Sequence, residues 1–147
     1  MAVDVVTETL IERPRAVVAA FAADPNNVPK RYANIKSVEW KTPPPAQLGS
    51  RVGFVAEFLG RRLAYTYEFV QFDPPDRLVM RTAEGPFPME TSYVWDDAGA
   101  ARTRMILRNR GEPRGFSAIV APFMVAAMRQ ANRKDLALLK SVLEADV

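Results

Sequence analysis

Neither cysteine nor histidine occurs among the 147 residues. Without cysteine there can be no disulfide and no thiolate nucleophile. Without histidine no Ser-His-Asp triad can be assembled. A zinc site of the His and Cys type is likewise ruled out, leaving only oxygen ligands. Any general acid or base has to be Asp, Glu, Lys or Tyr. No apolar run approaches the roughly 18 residues that a membrane span takes. The phosphate-binding patterns Gly-x-Gly-x-x-Gly and Gly-x-x-x-x-Gly-Lys are missing, which speaks against nucleotide chemistry. The net charge is +3, but the basic residues are dispersed, with Arg61-Arg62 and Arg133-Lys134 as isolated pairs. That pattern reads as a solvated, salt-bridged surface, so nucleic acid is not expected as a partner. Cofactors and metals are not expected either. The N-terminus, MAVDVVTETLIERP, carries acids where a secretory leader has bases and an apolar run. A cytoplasmic location is therefore the expectation.

Nearly half the residues are apolar (48%) and a quarter charged (25%), the profile of a globular domain. One domain over 1–147 is expected. Val3 to Glu12 reads as a strand, Pro14 as the start of a helix running to Ala23, and Asp24-Pro25 as its end. A short second helix, Val28 to Ala33, precedes a strand from Ile35 to Lys41. Between 51 and 110 five stretches alternate apolar and polar side chains, as half-buried strands do. Phe116 to Glu144 reads as one long amphipathic helix. Its apolar stripe is traced through Phe123, Met124, Ala127, Ala131, Leu138 and Val142, with Asp135 interrupting it.

Three turns set the expected registers. Leu59-Gly60-Arg61-Arg62 reads as a two-residue hairpin turn with Gly60 at its first central position. Phe54 then lies opposite Tyr67, and Val52 opposite Phe69. Asp73-Pro74-Pro75-Asp76 pairs Phe72 with Arg77, which sets Phe69 against Met80, Tyr67 against Thr82 and Glu68 against Arg81. Asp97-Ala98-Gly99-Ala100 pairs Asp96 with Arg102. Tyr93 then faces Met105, Thr91 faces Leu107 and Glu90 faces Arg108. Gly85-Pro86-Phe87-Pro88 joins the remaining pair.

Several local motifs point the same way. Ile11-Glu12-Arg13-Pro14 resembles an apolar-x-Ala-Pro lead into a first helix, with Arg13 in place of the usual alanine. Asp24-Pro25, Gly49-Ser50-Arg51 and Asp73-Pro74-Pro75-Asp76-Arg77-Leu78 resemble further family signposts. In these, and in element order, the chain resembles the START/Bet v 1-like (SRPBCC) superfamily, in particular its bacterial polyketide cyclase/dehydrase and lipid-transport type. The resemblance implies an α+β helix-grip fold. In it a curved seven-stranded antiparallel sheet and two short helices are closed by a long C-terminal helix over an internal cavity. It implies no particular ligand, because one fold hosts many activities.

The inner face carries rings and methyls beside hydroxyls and amides, the usual make-up of a small-molecule site. Phe54, Phe58, Met80 and Met105 are the expected apolar wall, with Phe123 and Met124 from the long helix. Tyr65, Tyr67, Thr82, Thr91, Tyr93 and Asn109 are the expected polar groups. Each of these taken singly also fits plain strand packing, since Thr favours strands and a Tyr hydroxyl often reaches an edge or water. No catalytic set is visible. Glu84, on the inner parity near Tyr65, and Tyr65 itself are the candidates for proton transfer. The expected function is binding, carriage or sensing of a small hydrophobic or aromatic molecule. The alternative is a cyclase, aromatase or dehydratase using the same cavity. A third possibility is an interaction protein using the Phe87-Pro88-Met89 loop.

Overall fold

The computed structural model describes residues 3–31, 35–58, 60–84, 88–111 and 121–145, with the side chains of residues 31, 58, 61, 121 and 122 excepted. Strand β1 (Val3–Ile11) leads into helix α1 (Arg15–Ala22), a single 3-10 turn (Pro25–Asn27) and helix α2 (Val28–Arg31). Strands β2 (Ile35–Trp40), β3 (Arg51–Phe58), β4 (Arg61–Asp73), β5 (Arg77–Glu84), β6 (Met89–Gly99) and β7 (Arg102–Gly111) follow, and helix α3 (Ala121–Ala145) comes last. All neighbouring strands pair antiparallel in one sheet, in the order β1-β7-β6-β5-β4-β3-β2. The sheet curls around α3 in the helix-grip arrangement. The expected joint at Gly85-Pro86-Phe87 and the expected helical turn over 116–120 lie outside the described residues.

Local chemistry accounts for the elements. In β1 the alternation of VDVVTETLI buries Val3, Val5, Thr7 and Ile11 and exposes the residues between, except for half-buried Thr9. Pro14 holds the extended cap position before α1, and its carbonyl accepts from Val17 and Val18. The Asp24 side chain accepts from the Asn26 backbone N–H at 2.9 Å, which starts the 3-10 turn as an Asx cap does. Arg13, the departure from alanine, has a local role. Its Nη1 donates to the Leu143 carbonyl at 3.2 Å, supplying a donor to the C-terminal end of α3. Lys140 ties the same end to β1 by donating to the Leu10 carbonyl at 2.7 Å.

The registers correct the sequence reading in an instructive way. Phe58 pairs with Arg61, so Phe54 lies opposite Tyr65 and Val52 opposite Tyr67. Gly60 is the second central residue, with φ +73°, a backbone state that glycine enters without a Cβ clash. Likewise Asp96 pairs with Arg104, Tyr93 with Leu107, Thr91 with Asn109 and Glu90 with Arg110. Both hairpins are slipped by two residues from expectation. A slip of one would have moved every side chain to the wrong face; a slip of two leaves the faces unchanged and escapes a pattern of period two. In the β4–β5 hairpin the interior pairs Phe69–Met80, Glu68–Arg81 and Tyr67–Thr82 are as expected. A bulge between Phe69 and Gln71 shifts the turn, so Asp73, not Phe72, meets Arg77.

On the outer face the arginines of β7 each meet a carboxylate. Arg102 pairs with Glu12, Arg104 with Glu8 and Asp96, Arg108 with Asp4, and Arg110 with Glu90. Glu90 also accepts from Arg81 at 2.7 Å, while Glu68 turns to Arg51 at 2.9 Å. Burial alone would raise the Glu90 pKa, but hydrogen bonds from Arg81 and Arg110 outweigh it and hold the carboxyl below its ordinary value. A hydrogen bond from Arg108 lowers Asp4 as well. A carboxyl with a depressed folded pKa stabilises the fold above its unfolded pKa. That stability drains away as pH falls through the folded value. Glu90→Gln is therefore expected to cost roughly 1 kcal/mol at neutral pH. Below the folded pKa, where Glu90 itself is protonated, the cost should shrink toward nothing. Thermal melts of both proteins from neutral to acid pH check this; a difference that grows on acidification contradicts it.

Candidate functional site

The concave side of the sheet is filled unevenly. Against the C-terminal half of α3, Trp95, Met105 and Leu107 pack with Leu136, Leu139 and Leu143 in one continuous buried cluster. Against the N-terminal half the packing opens into a cavity of about 130 Å³. An apolar cavity of roughly 150 Å³ is enough to take up benzene. The sheet contributes Phe54, Ala56, Tyr65, Tyr67, Met80 and Thr91 among others. The helix contributes Met128, Ala131, Asn132 and Asp135.

Eight of the twelve expected residues line this space: Phe54, Tyr65, Tyr67, Met80, Thr82, Thr91, Tyr93 and Asn109. Of the other four, three have different placements and one, Phe58, has its side chain outside the described residues. Met105 is fully buried; the slipped register sets it opposite Trp95, in the filled half. Met124 is buried against Leu63, in contact with the wall but not part of it. Phe123 is 70% exposed. It fails because the apolar stripe of α3 is phased differently from the sequence reading. The buried positions are Met124, Met128, Asn132, Asp135, Leu136, Leu139 and Leu143, so the helix is turned by about one residue, or 100°. Glu84, a candidate for proton transfer, is exposed. An irregularity between Thr66 and Tyr67 sets Glu84 opposite Thr66 rather than on the inner parity, on the face away from the cavity.

The same rotation exposes what the sequence reading missed. Asn132 and Asp135 are only 5% and 7% exposed and face the cavity. Asp135 was visible as an interruption of the expected stripe. With the stripe phased on Met124, Met128, Leu139 and Leu143, both polar residues fall inside it, a polar spot in a buried seam.

The rings of β3 and β4 form a cluster. Tyr65 meets Tyr67 edge-on at 5.2 Å, and Phe54 lies 6.2 Å from Tyr65 and 6.0 Å from Tyr67, all within the range of favourable aromatic pairing. Thr82 is occupied by backbone: its hydroxyl donates to the Met89 carbonyl at 3.1 Å and accepts from the Met89 N–H at 3.0 Å. The slipped β6–β7 register brings Thr91 and Asn109 side by side, and the Thr91 hydroxyl donates to Asn109 Oδ1 at 2.5 Å. Burial raises the Tyr65 hydroxyl far above the ordinary phenol value, helped by the neighbouring Tyr67, Tyr93 and Asp135. Tyr67 is pushed up to about 12, mainly by burial, with its hydrogen bond to Thr91 opposing the shift. Both phenols thus remain protonated at neutral pH. A raised folded pKa contributes stability that is present below the unfolded value and is lost as pH rises. In an absorbance titration of phenolate, Tyr65 and Tyr67 are expected to stay un-ionised up to the alkaline unfolding transition. Their ionisation near pH 10 in folded protein would contradict the burial.

With this geometry in view, the chain is placed by its relatives. It belongs to the family described as polyketide cyclase / dehydrase and lipid transport, which matches residues 2–144. No curated protein matches it. Its fold is shared with the protein TTHA0849 from Thermus thermophilus, at TM-score 0.85 and 21% identity, covering 97% of this chain and 98% of that one. It is also similar to the Zhui aromatase/cyclase from Streptomyces sp. R1128, at TM-score 0.82 and 18% identity, covering 98% and 94%. A START superfamily protein from Mycobacterium smegmatis has TM-score 0.84 and 11% identity, covering 98% and 99%. Likenesses at such identities establish the fold alone.

Proposed function

We propose that this protein binds a small apolar or aromatic molecule in the hollow under the N-terminal half of α3, to carry, sequester or sense it. The observation that carries this reading is the cavity itself. A space of about 130 Å³ is left open beside a closely packed core, and its wall mixes rings and methyls with Tyr, Thr and Asn. That composition suits a ligand held by apolar contact and oriented by a few hydrogen bonds. Among the described residues no helix is long and apolar enough to cross a membrane, and cytoplasmic residence belongs to the proposal. The test is thermal denaturation of the purified chain with one-ring compounds such as ethylbenzene, alongside native mass spectrometry of fresh protein. A ligand that binds only the folded state raises the midpoint in proportion to the logarithm of its concentration. Unshifted midpoints, together with no co-purified molecule, would overturn the reading.

A second reading, an enzyme of the cyclase, aromatase or dehydratase type, draws on one specific observation. Asp135 is buried in the cavity wall close enough to bear on the Tyr65 hydroxyl. A carboxyl from the helix and a protonated phenol from the sheet, both lining one cavity, are groups that can take up and donate protons at a bound substrate. Asp135→Asn and Tyr65→Phe distinguish the readings. An enzyme loses turnover of a polyketide-type substrate with its binding intact; a carrier shows no turnover to lose.

A further inference from the structure

The hydrogen bonds around the cavity run in one direction. Thr91 Oγ1 gives its proton to Asn109 Oδ1 at 2.5 Å. Tyr67 Oη, 3.2 Å from Thr91 Oγ1, is therefore the donor in that pair. Asn109 Nδ2 donates to Asn132 Oδ1 at 3.1 Å. The acceptor of Asn132 is thus used from within, and its Nδ2 is the last donor of the relay. That nitrogen is buried and has no hydrogen-bond partner among the described residues, and Asn132 lines the cavity.

We propose that Asn132 Nδ2 takes the carbonyl oxygen of a ring-sized ligand. The proposal rests on the binding reading above and specifies the ligand class. A buried donor with nothing to donate to destabilises a fold substantially. Two other buried side-chain atoms lack partners among the described residues, Thr7 Oγ1 and Trp95 Nε1, but neither residue lines the cavity. Of the three atoms, only Asn132 Nδ2 belongs to a residue that lines the cavity. Each donor in a relay polarises the next, so the terminal N–H is a better donor than an isolated amide. Tyr67 keeps its proton well into alkaline pH, which holds the relay in this direction. A carbonyl satisfies the terminal N–H without bringing a proton that itself needs an acceptor, as an alcohol would.

The test uses two probes of nearly equal shape, acetophenone and ethylbenzene, which differ by C=O against CH2. Dissociation constants of both are measured by calorimetry on the intact chain and on Asn132→Asp, which keeps the oxygen that accepts from Asn109 and removes the N–H. Comparing their ratio cancels changes in cavity volume. The preference for acetophenone is expected to fall about ten-fold in the variant, the size of one good hydrogen bond. An independent readout needs no variant: the infrared carbonyl band of isotope-labelled acetophenone bound to the wild-type protein. It is expected at the lower wavenumber of a hydrogen-bonded ketone. Both probes binding with an unchanged ratio, or a carbonyl band at its alkane-solvent position, overturns the assignment and leaves the binding reading intact. Neither probe binding the wild-type protein overturns both. If Asn132→Asp does not fold, the wild-type band decides.

Discussion

Trp95→Ala is expected to be the most damaging single substitution, at about 3–5 kcal/mol. Trp95 is 1% exposed and is the largest fully buried side chain among the described residues. It stands edge-on to Tyr93 at 5.9 Å, opposite Met105 across the strand pair, in the cluster that receives Leu136, Leu139 and Leu143. Truncation there removes transfer energy and opens a void in the part of the molecule that has none to spare. For a chain of this length each kcal/mol moves the melting midpoint by roughly 2–4 °C, so a fall of about 10 °C is expected. Trp95→Phe is the matching control. It keeps a ring in the core and deletes an indole N–H that has no partner among the described residues, so its cost is expected to stay under about 1.5 kcal/mol. Urea denaturation of both variants measures the difference. If the alanine variant loses less than about 1 kcal/mol, Trp95 is not the keystone that its burial implies.

Ala131→Phe is expected to do the opposite, removing ligand binding while sparing the fold. Ala131 is half-buried and lines the cavity from α3, so a benzyl group grown from its Cβ acts as an occupant supplied by the protein. Phenylalanine costs roughly 0.5 kcal/mol in helix propensity relative to alanine. Filling a cavity commonly returns about 0.5–2 kcal/mol, so the midpoint should hold or rise. Affinity for ethylbenzene should drop by at least ten-fold. Loss of stability with binding intact would mean that the hollow near Ala131 is not where one-ring compounds go.

The different fates of these two residues show how far the sequence could be read. Strand alternation made the inner face legible, and eight of its residues line the cavity because face assignment depends only on parity. Partner assignment depends on register, which the turns decide, and two of the three turns were ambiguous by two residues. Gly60 fits either central position of a tight turn. The observed pairing of Phe58 with Arg61 selects the second, and nothing in the flanking pattern objects. The β4–β5 hairpin kept its interior pairs only because a bulge after Phe69 absorbed the difference. Local irregularity also defeated Glu84, since one extra residue in a strand reverses the face of all that follows. In α3 the ambiguity was rotational. Phe123 and Met124 are both apolar and 100° apart, and the choice between them fixes which polar residues are buried. Tracing the stripe on from Phe123 through Ala127, Ala131 and Leu138 left Asn132 off it and made Asp135 only an interruption, although both line the cavity. The family resemblance was secure throughout because it rests on element order, which neither slips nor rotates.

The uneven packing beneath α3 divides labour along a single helix. Its last turns, clamped by Leu139, Leu143 and the Arg13 and Lys140 hydrogen bonds, secure the architecture. The turns around Met128 to Asp135 border the cavity and are held by Met128 against Val3 and Val5 and by the Asn109–Asn132 hydrogen bond. Within those turns the half-buried Ala131 is the position where a substitution reshapes the hollow with little cost to the core. On the proposed binding function, a lineage built on this plan would change its guest at that position while the last turns of the helix kept the architecture.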